Sequence, residues 1–488
     1  MPSDGTLWGS TITVEVSTTA ATVDPPTWMD ISRYVSYREA GAPLTANGRQ
    51  TDLTGDEPAQ LTLAVRDDDH TFAAGDVLRQ GRRIRIREHF GLSTFDLIDA
   101  EITQPTVSVP MHIVDGSQAE VTVTVAGTDL LGRLRQARPF ISTLAAHIIA
   151  NGGSALKAYY PMNDATLPLH EAFGRYPTLG VGLDATSTGF VSGRPVAPTA
   201  NAGTLGADDA RVIGPTYTWT GVTITGFQPL HSDWRASPLA VTAAQYVTVV
   251  MWVKLDYDIT IATLNSSLLP FQVSWDESGG GVGGFRFEPE FAANGSWQVL
   301  LSSTSFSSST GTFKGPVIVP GVAYPIAIQA AFSPDPAHVP HVLEWWVGST
   351  RVVDTSVTGS GVDLSIRDLW APLRAVNGLM GHLQIYVGDV NAFTFADFQA
   401  QYQIGLYGLE GQLTGARVNS ILDYAGWASS ARDIDPGLAR MGVAQLGGKD
   451  PLTCLEEARR TEQGRLMSES RFGSRRIRYL DRQRTYNL

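Results

Sequence analysis

Apolar and polar residues alternate with a period of two in four short bursts near the start of the chain: "TITVEV" from Thr11, "AQLTLAV" from Ala59, "RRIRIRE" from Arg82 and "AEVTVTVAG" from Ala119. That period puts one face of a sheet on a core and the other on water or a partner, so an all-β domain is expected over residues 1–139. Between the bursts, Asp67 to Asp69 and the neighbouring glycines suit Asx-type turns. The carboxylate triple also suggests a calcium loop, but the spacing of an EF-hand is missing. The period changes to a helical one in "ISTLAAHIIANGGS", with Ser142 as N-cap and Gly152-Gly153 as stop, which makes residues 140–156 a helix and hinge. His147 falls inside this helix with no metal-ligand partner nearby in sequence, so it reads as a packed or solvated histidine.

From Lys157 to Tyr402 short strands recur, among them "YVTVVMWVKLD", "PFQVSW", "HVLEWWVGS" and "GHLQIYVG", separated by Gly, Ser, Pro and Asn turns. Many strands at close spacing without intervening helices indicate a two-sheet sandwich over residues 157–402. Residues 403–488 return to helical spacing in "GARVNSILDYAGW" and in "GKDPLTCLEEARR", where Asp450 caps and Pro451 fits the first turn, and they end in a hairpin around Gly473-Ser474. Two helices and a hairpin are too little for a separate core. The tail is therefore expected to continue the first domain in space, with the sandwich inserted between them and Gly152-Gly153, Gly405 and Gly408 as joints.

A length of 488 residues fits this count of two or three domains. Composition supports the boundary: of 11 tryptophans, the eight at 219, 234, 252, 275, 297, 345, 346 and 370 fall in the inserted segment. The net charge of −12 argues against nucleic-acid binding, which needs a basic face. A single cysteine, Cys454, permits no internal disulfide and reads as a small packed residue. No apolar run approaches the ~18 residues of a membrane span, and the opening lacks a secretory pattern, so no membrane insertion and synthesis in a cytoplasm are expected.

Two resemblances attach to these residues. "ALKAYYPMNDA", "VTVVMWVKLD" and "GHLQIYVGDVNAFTFADFQAQY" resemble, in order, the opening, central and closing elements of laminin-G or concanavalin A-like lectin modules. The flanks, through "WMDISRYV", "NGRQTDLTGDEPAQLTLAVRDDDHTFAAGD", "RQGRRIRIRE", "RVNSILDYAGW" and "LTCLEEARRTEQGRLMSESRFGSRRIRYLDR", resemble tail-tip hub or minor tail proteins of long-tailed, siphovirus-type bacteriophages of actinobacteria. That pattern usually runs on past "YLDR" into another domain, whereas this sequence stops at Leu488. The resemblance implies a mainly β fold: a hub-type β-barrel split by an inserted jelly-roll sandwich and followed by a small α+β segment. It further implies a virion protein at the tail tip or baseplate. Its partners would be copies of itself in a homo-oligomeric ring, a trimer, then the distal tail and tape-measure proteins, and a host-surface glycan for attachment. No cofactor is expected; calcium is the one ion that the lectin resemblance admits.

Sugars are held by aromatic rings against their apolar faces and by carboxylates or amides on their hydroxyls. "HSDWRAS" and "SWDESGGG" make Asp233, Trp234, Trp275 and Asp276 the candidate glycan residues, although most tryptophans of a sandwich this large should be core. On "RRIRIRE", Arg83, Arg85 and Arg87 share one strand face and are candidates for a subunit interface, pairing with carboxylates of a neighbour, or for the lining of a lumen through which DNA passes, against the plainer reading of a solvated strand face. Glu288 and Glu290 sit on one face of "FEPEF" in the manner of a glycosidase pair, but Pro289 between them and the absence of a fuller acidic signature argue against catalysis. The chain is expected not to be an enzyme. A free carbohydrate-binding protein is the alternative, with a glycan hydrolase behind it.

Overall fold

The computed structural model describes residues 10–20, 26–35, 58, 60–67, 72, 77–90, 93–108, 121–162, 169–181, 217–219, 230–242, 245–255, 272–277, 282–286, 297–302, 310–313, 323–331, 341–357, 364–371, 378–389, 391–471 and 474–486. Two compact units emerge. The one named outer for its place in the sequence is discontinuous, Met1–Pro139 with Gly411–Gly442 and Lys449–Leu488; the one named inner, lying between those segments in sequence, is Phe140–Glu410 with Val443–Gly448. The α-helices are α1 (Leu130–Gln136), α2 (Thr143–Asn151), α3 (Phe395–Tyr407), α4 (Thr414–Tyr424), α5 (Pro451–Glu462) and α6 (Arg482–Tyr486). The chain is mainly β, and its larger sheets are antiparallel.

In the outer unit, strands β1 (Ser10–Ala20), β2 (Trp28–Asp30), β3 (Gln60–Arg66), β4 (Arg82–Phe90), β5 (Ser93–Ser108) and β6 (Thr122–Thr128) form one sheet in the order β2-β1-β4-β5-β6-β3. The apolar members of the alternating bursts, Val14, Val16, Leu61, Leu63, Ile84, Ile86, Val123 and Val125, meet in a single core. The expected hub barrel is not shown: among the described residues the sheet does not close on itself. Its outermost strands, β2 and β3, share no ladder among the described residues; a lone bridge joins Val35 to Val65.

The C-terminal part of this unit carries α4, α5 and a three-stranded sheet in the order β22 (Arg432–Ile434), β24 (Ser474–Leu480), β23 (Arg465–Arg471). Asp450 caps α5 by accepting from the Thr453 N–H at 3.0 Å, with Pro451 in the first turn. Cys454 is buried in α5, and burial pushes its thiol up to about 12, far from a nucleophile's range. The residues at the tip of the β23–β24 hairpin lie outside the described residues.

Glu462, at the end of α5, is fully buried and organises the loop before it. Its Oε2 accepts from Thr414 Oγ1 at 2.7 Å, Leu438 N at 3.0 Å and Ala439 N at 2.8 Å. Burial alone would raise this carboxyl, but the hydrogen bonds to its charged form outweigh burial and hold it below its ordinary value. A folded-state value below the unfolded one stabilises fully above the unfolded value of 4.5 and is lost as pH falls through the folded value. Glu462→Gln is expected to cost about 2–3 kcal/mol at pH 7. In urea titrations the gap between the two proteins should narrow below pH 4.5; a gap independent of pH would refute the charged form as the stabilising one.

The inner unit holds two antiparallel sheets. One runs β19 (Thr350–Val357), β18 (His341–Val347), β17 (Ala323–Ala331), β12 (Tyr246–Leu255), β21 (Gly378–Gly388), β7 (Leu156–Tyr160), with β9 (Tyr217–Trp219) also on β21. The other runs β16 (Thr310–Phe313), β15 (Trp297–Ser302), β14 (Val282–Arg286), β13 (Gln272–Glu277), β20 (Leu364–Ala371), β10 (Leu230–Asp233), β8 (Gly180–Val181), with β11 (Leu239–Val241) on β20. Tyr160 of β7 and Ser232 of β10 hydrogen-bond from one sheet to the other, the arrangement of a β-sandwich.

Helices α2 and α3 cover the far face of the first sheet. Leu144, Ala145, Ile148 and Phe398 pack there with Tyr159, Val250, Trp252 and Trp346. This explains the unbroken apolar run of β12 from Val249 to Val253, which is buried on both faces. Ser142 caps α2 by accepting from Ala145 N at 3.0 Å, and Gly152 closes it by donating to Ile148 O. Burial lowers the His147 imidazole to about 4, with Asp397 pulling the other way, so it is neutral at pH 7. The sequence boundary at Tyr402 falls inside α3, and Gly405 is no joint. A Cβ there would lie 2.2 Å from a ring carbon of Trp252, so Gly405 is a close-packing position. Gly408 does turn the chain, at φ 52 as the C-cap of α3.

Candidate functional site

In the outer unit, the polar members of β4 face carboxylates on the strands at either side. Arg83 Nη2 lies 2.5 Å from Asp99 Oδ2 of β5, Arg85 Nε 2.6 Å from Glu15 Oε2 of β1, and Arg87 Nε 2.7 Å from Asp96 Oδ1. Trp28 adds its ring, with the Arg85 guanidinium 3.9 Å and that of Arg83 5.2 Å from its centroid. Arg475, from β24, reaches the same Asp99: Nε is 3.2 Å from Oδ1, and Nη2 donates to the Asp99 carbonyl at 3.2 Å. Burial lowers the pKa of Arg475, and the charge of Asp99 opposes that. One buried carboxylate thus serves two buried guanidinium groups contributed by opposite ends of the chain. The arginine row is neither a plain solvated face nor an unpaired one, since its charges are met within the chain, and Arg87 is the most open of the three.

Of the four candidate glycan residues of the inner unit, Asp233 and Trp234 have described side chains, and they face opposite ways. Strand alternation sends Ser232 and Trp234 inward and leaves Asp233 exposed, its Oδ1 accepting from Arg235 N at 2.9 Å. Trp234 is corrected from surface platform to core: it is fully buried, its Nε1 donates to Ser232 Oγ at 2.8 Å, and its face is covered by Tyr176. Trp275 and Asp276 stand on β13 opposite Ile366 and Ser365 of β20 instead of in a loop. Their side chains lie outside the described residues, as do Glu288 and Glu290. Among the described residues, no group of three His, Cys, Asp or Glu is placed to hold a metal ion.

The sequence gives no warning of the tightly held loop "EAFGRYP", Glu171 to Pro177. Glu171 is buried, and its carboxylate accepts from Tyr159 N at 3.0 Å, Phe173 N at 3.0 Å and Arg175 N at 2.8 Å. These three bonds wrap the loop around one charge, with Gly174 supplying φ 65. Arg175 is exposed, yet it is held at one end: its guanidinium lies 4.6 Å from the Phe173 ring centroid and Nη1 donates to Leu156 O at 3.3 Å. Tyr176 is half-buried and stacks on Trp234 at 4.3 Å between centroids, 29° between planes. The next residue is pinned as well, since the Pro177 carbonyl accepts from Tyr160 Oη at 2.7 Å and Ser232 Oγ at 2.8 Å. Burial raises the Tyr176 phenol, and Arg175 pulls it back. The loop's sequence offers a glutamate followed at short range by Gly-Arg-Tyr-Pro, but nothing local marks that glutamate as buried.

No protein-family model and no curated protein matches the chain. Solved structures similar to it include Trypanosoma rangeli sialidase, at 9% identity and TM-score 0.30, covering 81% of this chain and 61% of that one. They include the botulinum neurotoxin serotype D binding domain, at 10% and 0.29, covering 55% and 54%. An alginate lyase from Aplysia kurodai follows at 6% and 0.24, covering 36% and 82%. The chain spans between 51% and 61% of the length of the two sialidase structures it matches. At these TM-scores the likenesses identify no activity for this chain.

Proposed function

We propose that the protein is a structural component of a phage tail tip, whose outer unit takes part in a homo-oligomeric hub and whose inner unit binds host-surface carbohydrate. The observation that carries this reading is the discontinuous outer unit: both segments with the hub-like pattern belong to it, and the lectin-like segment makes up most of the inner one. The Asp99 cluster supports it by linking the two flanks through buried charges. Ring neighbours would be further copies, a trimer by the family pattern, together with distal tail and tape-measure proteins. Arg87, on the polar face of β4, is the member of the arginine row best exposed to meet them. Among the described residues no helix is long and apolar enough to cross a membrane, and the reading needs none. The inner unit acts by binding; no catalytic pair is invoked.

The test is electron microscopy of virions from the phage or lysogen that encodes the chain, labelled with antibody against residues 157–402. Label at the tail tip is the expected result. Unlabelled virions beside soluble antigen in the lysate would overturn it in favour of a free carbohydrate-binding protein.

A further inference from the structure

We propose that the loop Glu171–Pro177 is the saccharide subsite of the inner unit, and that it takes an acidic pyranose, with Arg175 on the carboxylate and Tyr176 against the apolar ring face. This rests on the carbohydrate-binding reading above and gives it a place and a ligand class.

Preorganisation carries the inference. An aromatic ring is an effective platform only if its rotamer is already fixed, because otherwise binding must immobilise it. Tyr176 is fixed on two sides: its ring lies on Trp234, and the carbonyl of the next residue is held by Tyr160 and Ser232. Trp234 is itself fixed through Nε1 to the same Ser232. Ring, indole, hydroxyl and backbone thus form a closed circuit, while Tyr176 remains half exposed. Arg175 is prepared in the same way, with its guanidinium beside Phe173 and one N–H on the Leu156 carbonyl. A guanidinium carries five N–H donors in a planar fork suited to carboxylates. Among the described residues the one carboxylate bound into this loop, that of Glu171, is buried and occupied by three backbone N–H groups, so it does not compete for the fork. A loop that shows an anchored aromatic ring next to an anchored cation fits a sugar bearing an anion.

The test is calorimetric titration of the full chain with oligosaccharides containing glucuronate, galacturonate or N-acetylneuraminate, their neutral glucose and galactose counterparts, and inorganic phosphate. An acidic saccharide should bind at least about tenfold more tightly than its neutral counterpart, the scale of a charge-assisted hydrogen bond. Arg175→Gln should abolish that preference and Arg175→Lys restore it in part. Tyr176→Ala should weaken all saccharides about tenfold or more, whereas Tyr176→Phe, which keeps the ring and the stack, should bind as the parent does. Neutral saccharides bound as tightly as acidic ones, or an Arg175→Gln variant with unchanged preference, would overturn the subsite while leaving carbohydrate binding in place. Phosphate competing as well as the acidic sugars would make it a general anion site and overturn it too. A chain that binds no saccharide removes both this inference and the reading beneath it.

Discussion

Replacing Asp99 with asparagine is expected to destabilise the outer unit by about 3–5 kcal/mol, the cost of leaving buried charge without its counter-ion. The side chains of Asp99 and Arg83 are each 2% exposed, and that of Arg475 is 8% exposed. The amide cannot neutralise either guanidinium, and neither can move into water without opening the contact of β24 with β5. Urea unfolding should show the loss, and limited proteolysis should show the C-terminal hairpin becoming cleavable before the sheet does. Replacing the cluster as a whole with apolar residues of similar volume, Arg83→Met, Asp99→Leu and Arg475→Met together, should recover much of the stability, because the desolvation cost of three charges disappears along with their attraction. A single Asp99→Asn variant as stable as the parent would show that the hairpin is held by its apolar contacts alone.

The second large effect concerns Trp252 and Gly405 in the inner unit. Trp252 is fully buried at the centre of the helix-covered face, 6.3 Å between centroids from Tyr402, and its indole N–H has no hydrogen-bond partner among the described residues. Trp252→Ala is expected to cost about 3–5 kcal/mol through lost burial and the cavity left behind. Gly405→Ala acts in the opposite sense, forcing a methyl group to within 2.2 Å of the indole, and should cost about 1–3 kcal/mol. The two changes are coupled in a way that a simple sum misses. Without the indole the added methyl meets open space, and alanine's better helix propensity should then make Gly405→Ala stabilising by up to about 1 kcal/mol. A double-mutant cycle by chemical denaturation reads that reversal of sign. Additive losses would mean that Gly405 matters for some reason other than Trp252.

Acidic saccharides, Arg175 and Tyr176 concern a different property, since Arg175 is exposed and its replacement should change ligand preference without moving the unfolding transition. The proposed subsite and the stability of the inner unit can therefore be tested separately.

What the sequence determined by itself is the set of features that nearest neighbours control. The period of two in "RRIRIRE" placed Ile84 and Ile86 in a core and three arginines on the opposite face. The caps at Ser142 and Asp450 and the stop at Gly152 were legible because a cap bonds within its own turn. The mainly antiparallel β character followed from the density of short strands and turns.

Only the tertiary structure decided which polar residues are matched and which aromatic rings are covered, because both depend on chain that is remote in sequence. Asp99 and Arg475 are 376 residues apart, and no local pattern announces their pairing. Trp234 reads as a loop aromatic until Tyr176 is laid over it, and Gly405 reads as a joint until Trp252 fills the space beside it. The closure of a barrel was likewise beyond the pattern, since alternation states which face is apolar but not whether the last strand finds the first. The loop of Glu171 shows the same limit most directly. Its sequence is that of a polar turn, and it becomes a prepared surface because Tyr159, Tyr160 and Ser232, brought in by two different sheets, hold both of its ends.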